Sequence, residues 1–170
     1  MENDLLVNKV AESGIVTLDL EQYLPQGEWV AFDIKPYLFM ELILKEKDFR
    51  AALLTTDWQV FAGKQVTITC TADAIIPMWA YMLIANYLQP VAAGVYFGSE
   101  AEAKVQVLLQ NIQQLNAADY TDKRVVIKGC GDAPIPEAAY VAATALLRPV
   151  AKSIMYGEPC STVPIYKKKP

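Results

Sequence analysis

The chain contains no histidine. That absence excludes Ser-His-Asp and Cys-His nucleophilic catalysis within the chain. It also excludes HExxH zinc centres and every metal site that needs imidazole. Thiols, carboxylates, lysines, tyrosines and backbone remain for any chemistry. There are only three cysteines, Cys70, Cys130 and Cys160, and no CxxC pair. No Walker motif is present. The stretch "GCGDAP" begins like a dinucleotide fingerprint, but Pro134 stands where the third glycine belongs. The longest apolar run, Ala74 to Leu88, is shorter than the ~20 residues of a membrane span and carries Pro77 and Asn86. The opening "MENDLLVNKVAESG" has acids where a signal peptide needs positive charge. A cytoplasmic protein is expected, with no membrane partner and with cysteines as free thiols or ligands. Fifteen basic against nineteen acidic residues give a formal charge of −4, which argues against nucleic acid as a partner. The one basic cluster, Lys167 to Lys169, reads as a solvated tail.

What is present is apolar and repetitive. Hydrophobic residues make up 54% of the 170, enough for a substantial core in a single domain over 1–170. Shifted by 59 residues, Val66–Gly98 falls on Val125–Gly157 without a gap, with 13 of 33 positions identical. Asp73 matches Asp132, Pro77 matches Pro136, Tyr81 matches Tyr140, Pro90 matches Pro149 and Gly98 matches Gly157. The segments 66–98 and 125–157 therefore read as a duplicated β-α-β unit. Each copy opens with a β-branched strand, Val66–Cys70 or Val125–Gly129. A helix follows from near Pro77 or Pro136, since proline suits the first helical turn. It stops before Pro90 or Pro149, because the residue ahead of proline avoids the helical region. A short strand closes each copy, Val95–Phe97 or Ser153–Tyr156.

Further strands are expected around Gly14–Leu20 and Trp29–Ile34. Further helices are expected over Lys45–Asp57, with Glu46 and Arg50 as a surface pair, and from Ser99 as N-cap. The fold class is α/β: a mainly parallel sheet flanked by helices, joined by right-handed crossovers. The helix "PMWAYMLIANYL" is apolar nearly all round, so part of it is expected to form a homodimer interface.

In a parallel sheet, ligands bind beyond the carboxyl ends of the strands. Cys70 ends one such strand, Cys130 follows another and Cys160 lies past the last, with Asp73 and Asp132 on the same edge. Thiolates suit zinc or an iron–sulfur cluster, and a carboxylate can complete the shell. The candidate metal ligands are therefore Cys70, Cys130, Cys160, Asp73 and Asp132. Two other chemistries compete for that rim. Cys130 near a helix N-terminus suits thiol redox or nucleophilic work, but it lacks an activating base and has Asp132 beside it. The same helix start suits an anion, but Asp132 would repel phosphate. An enzyme acting through an acid pair is a further possibility, and no catalytic residue is assigned. The structural alternative makes Asp73 and Asp132 helix-capping or turn-forming acids and Cys70 a small core residue. Duplication does not explain the thiols themselves: Cys70 aligns with Gly129, and Cys130 with Thr71.

The stretches "FDIKPYLFMELILKEKDFRAAL", "ITCTADAIIPMWAYMLIA" and "VVIKGCGDAPIPEAAYV", with "LRPVAKSIMYGEPCSTVPIYK", resemble the family catalogued as domain of unknown function 2480, found in Bacteroidetes bacteria. The resemblance spans nearly the whole chain. It implies no established activity and no site residue. It carries an association with iron–sulfur assembly, which favours the metal or thiol reading and makes an assembly protein an expected partner. The expected function is an accessory role in iron–sulfur or metal and thiol handling. The alternative is a non-enzymatic, dimeric protein-interaction module with structural cysteines.

Overall fold

A computed structural model describes residues 14–129, 131, 133–158 and 160–169. It shows mixed α/β structure, with parallel strands in sheets flanked by four helices. The strands are β1 (Ile15–Asp19), β2 (Trp29–Asp33), β3 (Gln65–Thr69), β4 (Gly94–Phe97), β5 (Arg124–Lys128), β6 (Ser153–Glu158) and β7 (Ser161–Lys167). The helices are α1 (Glu46–Thr55), α2 (Met78–Leu88), α3 (Glu100–Gln113) and α4 (Glu137–Leu147). No helix among the described residues is long and apolar enough to cross a membrane.

The strands divide between two sheets, ordered β2-β3-β4 and β1-β5-β6-β7. The chain separates accordingly into two compact units, Gln26–Lys104 and Met1–Pro25 with Val105–Pro170. The first is the inner unit, because its sequence interrupts the second, the outer unit. Both run in the same order of elements. In the inner unit, β2 leads to a 3-10 turn at Lys35–Tyr37, then α1, a 3-10 turn at Trp58–Phe61, β3, α2 and β4. In the outer unit, β1 leads to a 3-10 turn at Leu20–Tyr23, and the chain returns at Val105 within α3, followed by a 3-10 turn at Ala117–Tyr120, β5, α4 and β6.

The prolines act as the sequence predicts. Pro77 and Pro136 occupy the N-cap positions of α2 and α4, and the C-caps are Gln89 and Arg148, one residue before Pro90 and Pro149. The cores use matching positions. Val66, Ile68, Ala80, Ile84 and Leu88 are buried in the inner unit. Val125, Ile127, Ala139, Ala143 and Leu147 are buried in the outer one. Each set projects from a buried parallel strand onto one stripe of the following helix, at i, i+4 and i+8. The turn ahead of α3 is closed by a capping box: the Ser99 N–H donates to Glu102 Oε2 at 2.8 Å and the Glu102 N–H to Ser99 Oγ at 3.3 Å. The Glu46–Arg50 pair forms at 2.8 Å.

The C-terminal lysines are solvated as expected, but Lys167 and Lys168 are not in a loose tail. Lys167 is the last residue of β7, antiparallel to β6, and Lys168 donates its backbone N–H to Lys152 O at 2.9 Å and its Nζ to Asp122 Oδ1 at 3.0 Å. The reason is that β7 gives β6 an outer partner, and the strand carries the lysines along.

Candidate functional site

The carboxyl ends of the parallel strands were the expected place for chemistry, and the two sheets present it separately. In the inner unit β2 ends at Asp33. Its Oδ1 accepts the N–H of Lys35 at 3.0 Å and of Thr71 at 3.0 Å, and its Oδ2 accepts a short hydrogen bond from the Thr71 hydroxyl. This carboxylate ties the end of β2 to the loop after β3. Burial pushes its pKa up, but the Thr71 hydroxyl and the two N–H groups outweigh that and hold it below the usual range. The sign follows. A depressed folded pKa contributes stability that is full above the unfolded value of about 3.9 and is lost as pH falls through the folded one. Asp33→Ala is therefore expected to lower stability by about 1–2 kcal/mol at neutral pH. The deficit should shrink below about pH 4, which urea titrations at pH 7 and pH 3 would measure. An equal deficit at both pH values would refute this role.

Cys70, directly after β3, is partly buried, and its thiol lies 3.6 Å from Ala72 O. The Tyr81 phenol has its pKa raised by burial and then by the nearby Cys70. Asp73 is exposed and caps nothing: the N-cap of α2 is Pro77, with no side-chain cap bond. The expected helix-capping role of Asp73 is thus corrected. The turn is set by backbone and proline, while the carboxylates that cap 3-10 turns are Asp19 and Asp57, and Asp33 accepts the Lys35 N–H at the start of a third.

In the outer unit β1 also ends in an acid. Asp19 Oδ1 accepts the Glu21 N–H at 3.1 Å, and Asp19 Oδ2 lies 3.4 Å from Lys128 Nζ, which is 3.8 Å from Glu158. Asp19 first and Glu158 second raise the Lys128 pKa. Gly129 and Gly131 lack side chains because others occupy the space. A Cβ at Gly129 would lie 2.5 Å from the Tyr140 hydroxyl, and one at Gly131 would fall on the Glu21 carboxylate. Cys130 and Asp132 lie outside the described residues. Cys160 is exposed in the short connection between β6 and β7. Cys70 and Cys160 thus follow strands of different sheets, so the shared rim expected from a single sheet does not follow. Among the described residues, no three His, Cys, Asp or Glu side chains form a group able to hold a metal ion.

Each unit also has an apolar cleft between its second helix and the sheet beneath it. In the inner unit the cleft has a volume of 270 Å³ and is lined by Ile68, Tyr81, Ala85, Val95, Tyr96 and Phe97, with Met82 at its mouth. In the outer unit it has a volume of 170 Å³ and uses the positions 59 residues on: Ile127, Tyr140, Thr144, Ile154, Met155 and Tyr156. Even the ring packing matches, Tyr81 edge-on to Phe97 at 5.3 Å and Tyr140 edge-on to Tyr156 at 5.7 Å. The clefts differ in one wall. Ile165 of β7 closes the outer-unit cleft, whereas β4 has no outer neighbour among the described residues. Correspondingly, Phe97 is 70% exposed and Tyr156 41%. Met82 at the cleft and Met78 one turn before it on α2 are each 72% exposed.

Sequence reasoning did not find Asp33, Thr71 or Phe97. A signal for Asp33 was available: "TLDL" and "AFDI" put an acid at the end of both leading strands. A family model described as a protein of unknown function (DUF2480) matches residues 4–168. No curated protein and no solved structure matches the chain.

Proposed function

The chain belongs to the DUF2480 family, a membership that assigns no chemistry, and we propose on that footing that it is a non-enzymatic, dimeric protein-interaction module working through the α2–β4 face of the inner unit. One observation carries this reading. Met78 and Met82 of α2 and Phe97 of β4 expose large apolar side chains, and neither element has a charged residue. Exposed apolar surface of this kind marks interaction sites, and methionine is the side chain that adapts best to a partner's contour. The buried stripe of α2 is already satisfied by Ala80, Ile84 and Leu88, so the exposed stripe is not needed for the core. An iron–sulfur or metal role has no such geometry behind it among the described residues.

Light scattering across a concentration series tests the reading. The wild-type chain is expected to be a dimer. A Met78→Glu, Met82→Glu variant is expected to dissociate at about a hundredfold lower dimer affinity, as two centrally placed side chains allow. At dilutions where both chains are monomeric, its thermal unfolding should stay near wild type, because both residues are 72% exposed. A wild-type monomer at every concentration, or a dimer indifferent to both substitutions, would overturn it.

A further inference from the structure

Resting on that reading of the α2–β4 face, we infer that the occupant is a second copy of the chain, paired antiparallel along the outer edge of β4 with Val95 of each copy opposite Phe97 of the other. The Gly98 N–H donates to Ile68 O at 3.1 Å, and β4 runs parallel to β3 with Val66 opposite Val95 and Ile68 opposite Phe97. Ladder groups alternate along a strand, so Gly94 and Tyr96 point theirs at β3 with Gly98. The N–H and C=O groups of Val95 and Phe97 therefore face outward.

The outer unit shows what such an edge takes. The positions 59 residues on are Ile154 and Tyr156 of β6, and both are paired with an antiparallel strand: Ile154 with Tyr166, and Tyr156 with Val163. That strand also supplies the apolar wall, Ile165, that the inner-unit cleft lacks. An antiparallel apolar strand is thus the occupant that fits, and β4 is itself one. With a two-fold axis beside Tyr96, each Val95–Phe97 pair exchanges both of its N–H···O bonds, as a hydrogen-bonded antiparallel pair does. The Phe97 of one copy comes to lie against the Val95 of the other, over the cleft, in the place that Ile165 holds in the outer unit.

Charge favours a self-complementary contact. A two-fold interface sets the residues at its axis against their own copies, so a charge near Tyr96 would meet its like. Neither α2 nor β4 carries one. Neither element therefore offers a charge by which to select a different, charged partner. Nor does β4 use the chemical devices that blunt an edge: it has no proline, no lysine and no bulge. Its four residues can make only a short ladder, so burial of Phe97, Met78 and Met82 must supply most of the affinity.

Hydrogen exchange on the full-length, unmodified chain, followed residue by residue from dilute to concentrated, tests the pairing without any variant. The Val95 and Phe97 amides are expected to exchange at least tenfold more slowly where the dimer forms than where the chain is monomeric. A Val95→Pro variant removes one of the outward N–H groups while leaving the β3 ladder intact. It is expected to weaken the dimer at least tenfold with unchanged circular dichroism. If the chain dimerises and Met78→Glu, Met82→Glu dissolves the dimer, yet the two amides exchange equally fast at all concentrations, edge pairing is overturned and the interaction face stands. A chain that never dimerises removes both. Protection that is independent of concentration and vanishes on deletion of residues 1–13 would give the edge to the chain's own N-terminal segment, against the inference. Protection that appears only when another protein is added also counts against it.

Discussion

Replacing Phe49 by alanine is expected to cost about 3–5 kcal/mol, a large share of the roughly 5–15 kcal/mol that holds a domain folded. Phe49 projects from α1 into the inner unit and is 1% exposed. Its ring meets Tyr37 edge-on at 5.5 Å and Trp79 at 6.1 Å. Tyr37 stacks on Phe32, Phe32 on Trp58, and Trp58 on Tyr87 at 4.9 Å. Removing the ring leaves a void that these neighbours cannot fill, because each is held by the next ring in the row. The cost therefore combines lost transfer energy with an unrelaxed cavity. Phe49→Leu keeps much of the volume and should cost no more than about 1.5 kcal/mol. Leu54→Ala, one turn later on the same helix but 74% exposed, should lie within about 0.5 kcal/mol of wild type. Urea unfolding followed by tryptophan fluorescence reads all three, since Trp58 and Trp79 sit in the affected row. A Phe49→Ala midpoint as close to wild type as that of Leu54→Ala would show that the aromatic row does not organise the core.

Much of this was legible because the sequence repeats its own punctuation. Pro77 and Pro136 start helices, Pro90 and Pro149 stop them, and the β-branched runs at Val66 and Val125 are the strands before them. Local pattern assigns strands but not partners. β1 pairs with β5 more than a hundred residues away, Ile15 opposite Arg124, and nothing in "GIVTLDL" distinguishes that neighbour from β2. The division into two sheets was therefore hidden, and with it the fact that Cys70 and Cys160 follow different sheets. β7 was hidden by Pro164 and by the lysines after it. A proline is tolerated there because β7 is an outer strand and Pro164 faces Met155 at a register shift, where no ladder bond depends on its missing N–H. The acids misled for a related reason. Asp73 recurs as Asp132, but Asp73 forms no cap, while the unremarked Asp33 bonds two backbone N–H groups and a hydroxyl. Recurrence marks a shared backbone need, and only geometry shows which side chain meets it.

Gly157→Ala is expected to cost about 3 kcal/mol, more than the same change at its aligned partner Gly98. Both glycines close the last strand of their unit's β-α-β run with a positive φ, +103° at Gly98 and +116° at Gly157, a region that side chains rarely enter. They differ in what a Cβ would meet. At Gly98 the contact is Glu102 Oε2 at 2.8 Å, the free end of a flexible side chain. At Gly157 it is the backbone carbonyl of Ser161 at 2.6 Å, fixed in β7 by the ladder that pairs Glu158 with Ser161. Relief there requires β7 to lift from β6. The loss should be local: amides of β7 from Ser161 to Lys167 should exchange faster, while those of β5 stay protected. Lifting β7 also removes Ile165 from the outer-unit cleft and leaves the Ile154–Tyr156 edge without its neighbour, as Val95–Phe97 of β4 has no outer neighbour among the described residues. A chain with two such edges has two places to join a copy. On the proposed dimer, Gly157→Ala is therefore expected to form larger species than wild type at equal concentration, and Gly98→Ala is not. Light scattering on the two variants side by side decides it. If Gly157→Ala frees β7 by exchange and yet adds no further copies, an open apolar edge is insufficient for association in this fold, and the pairing of β4 must depend on Met78 and Met82 instead.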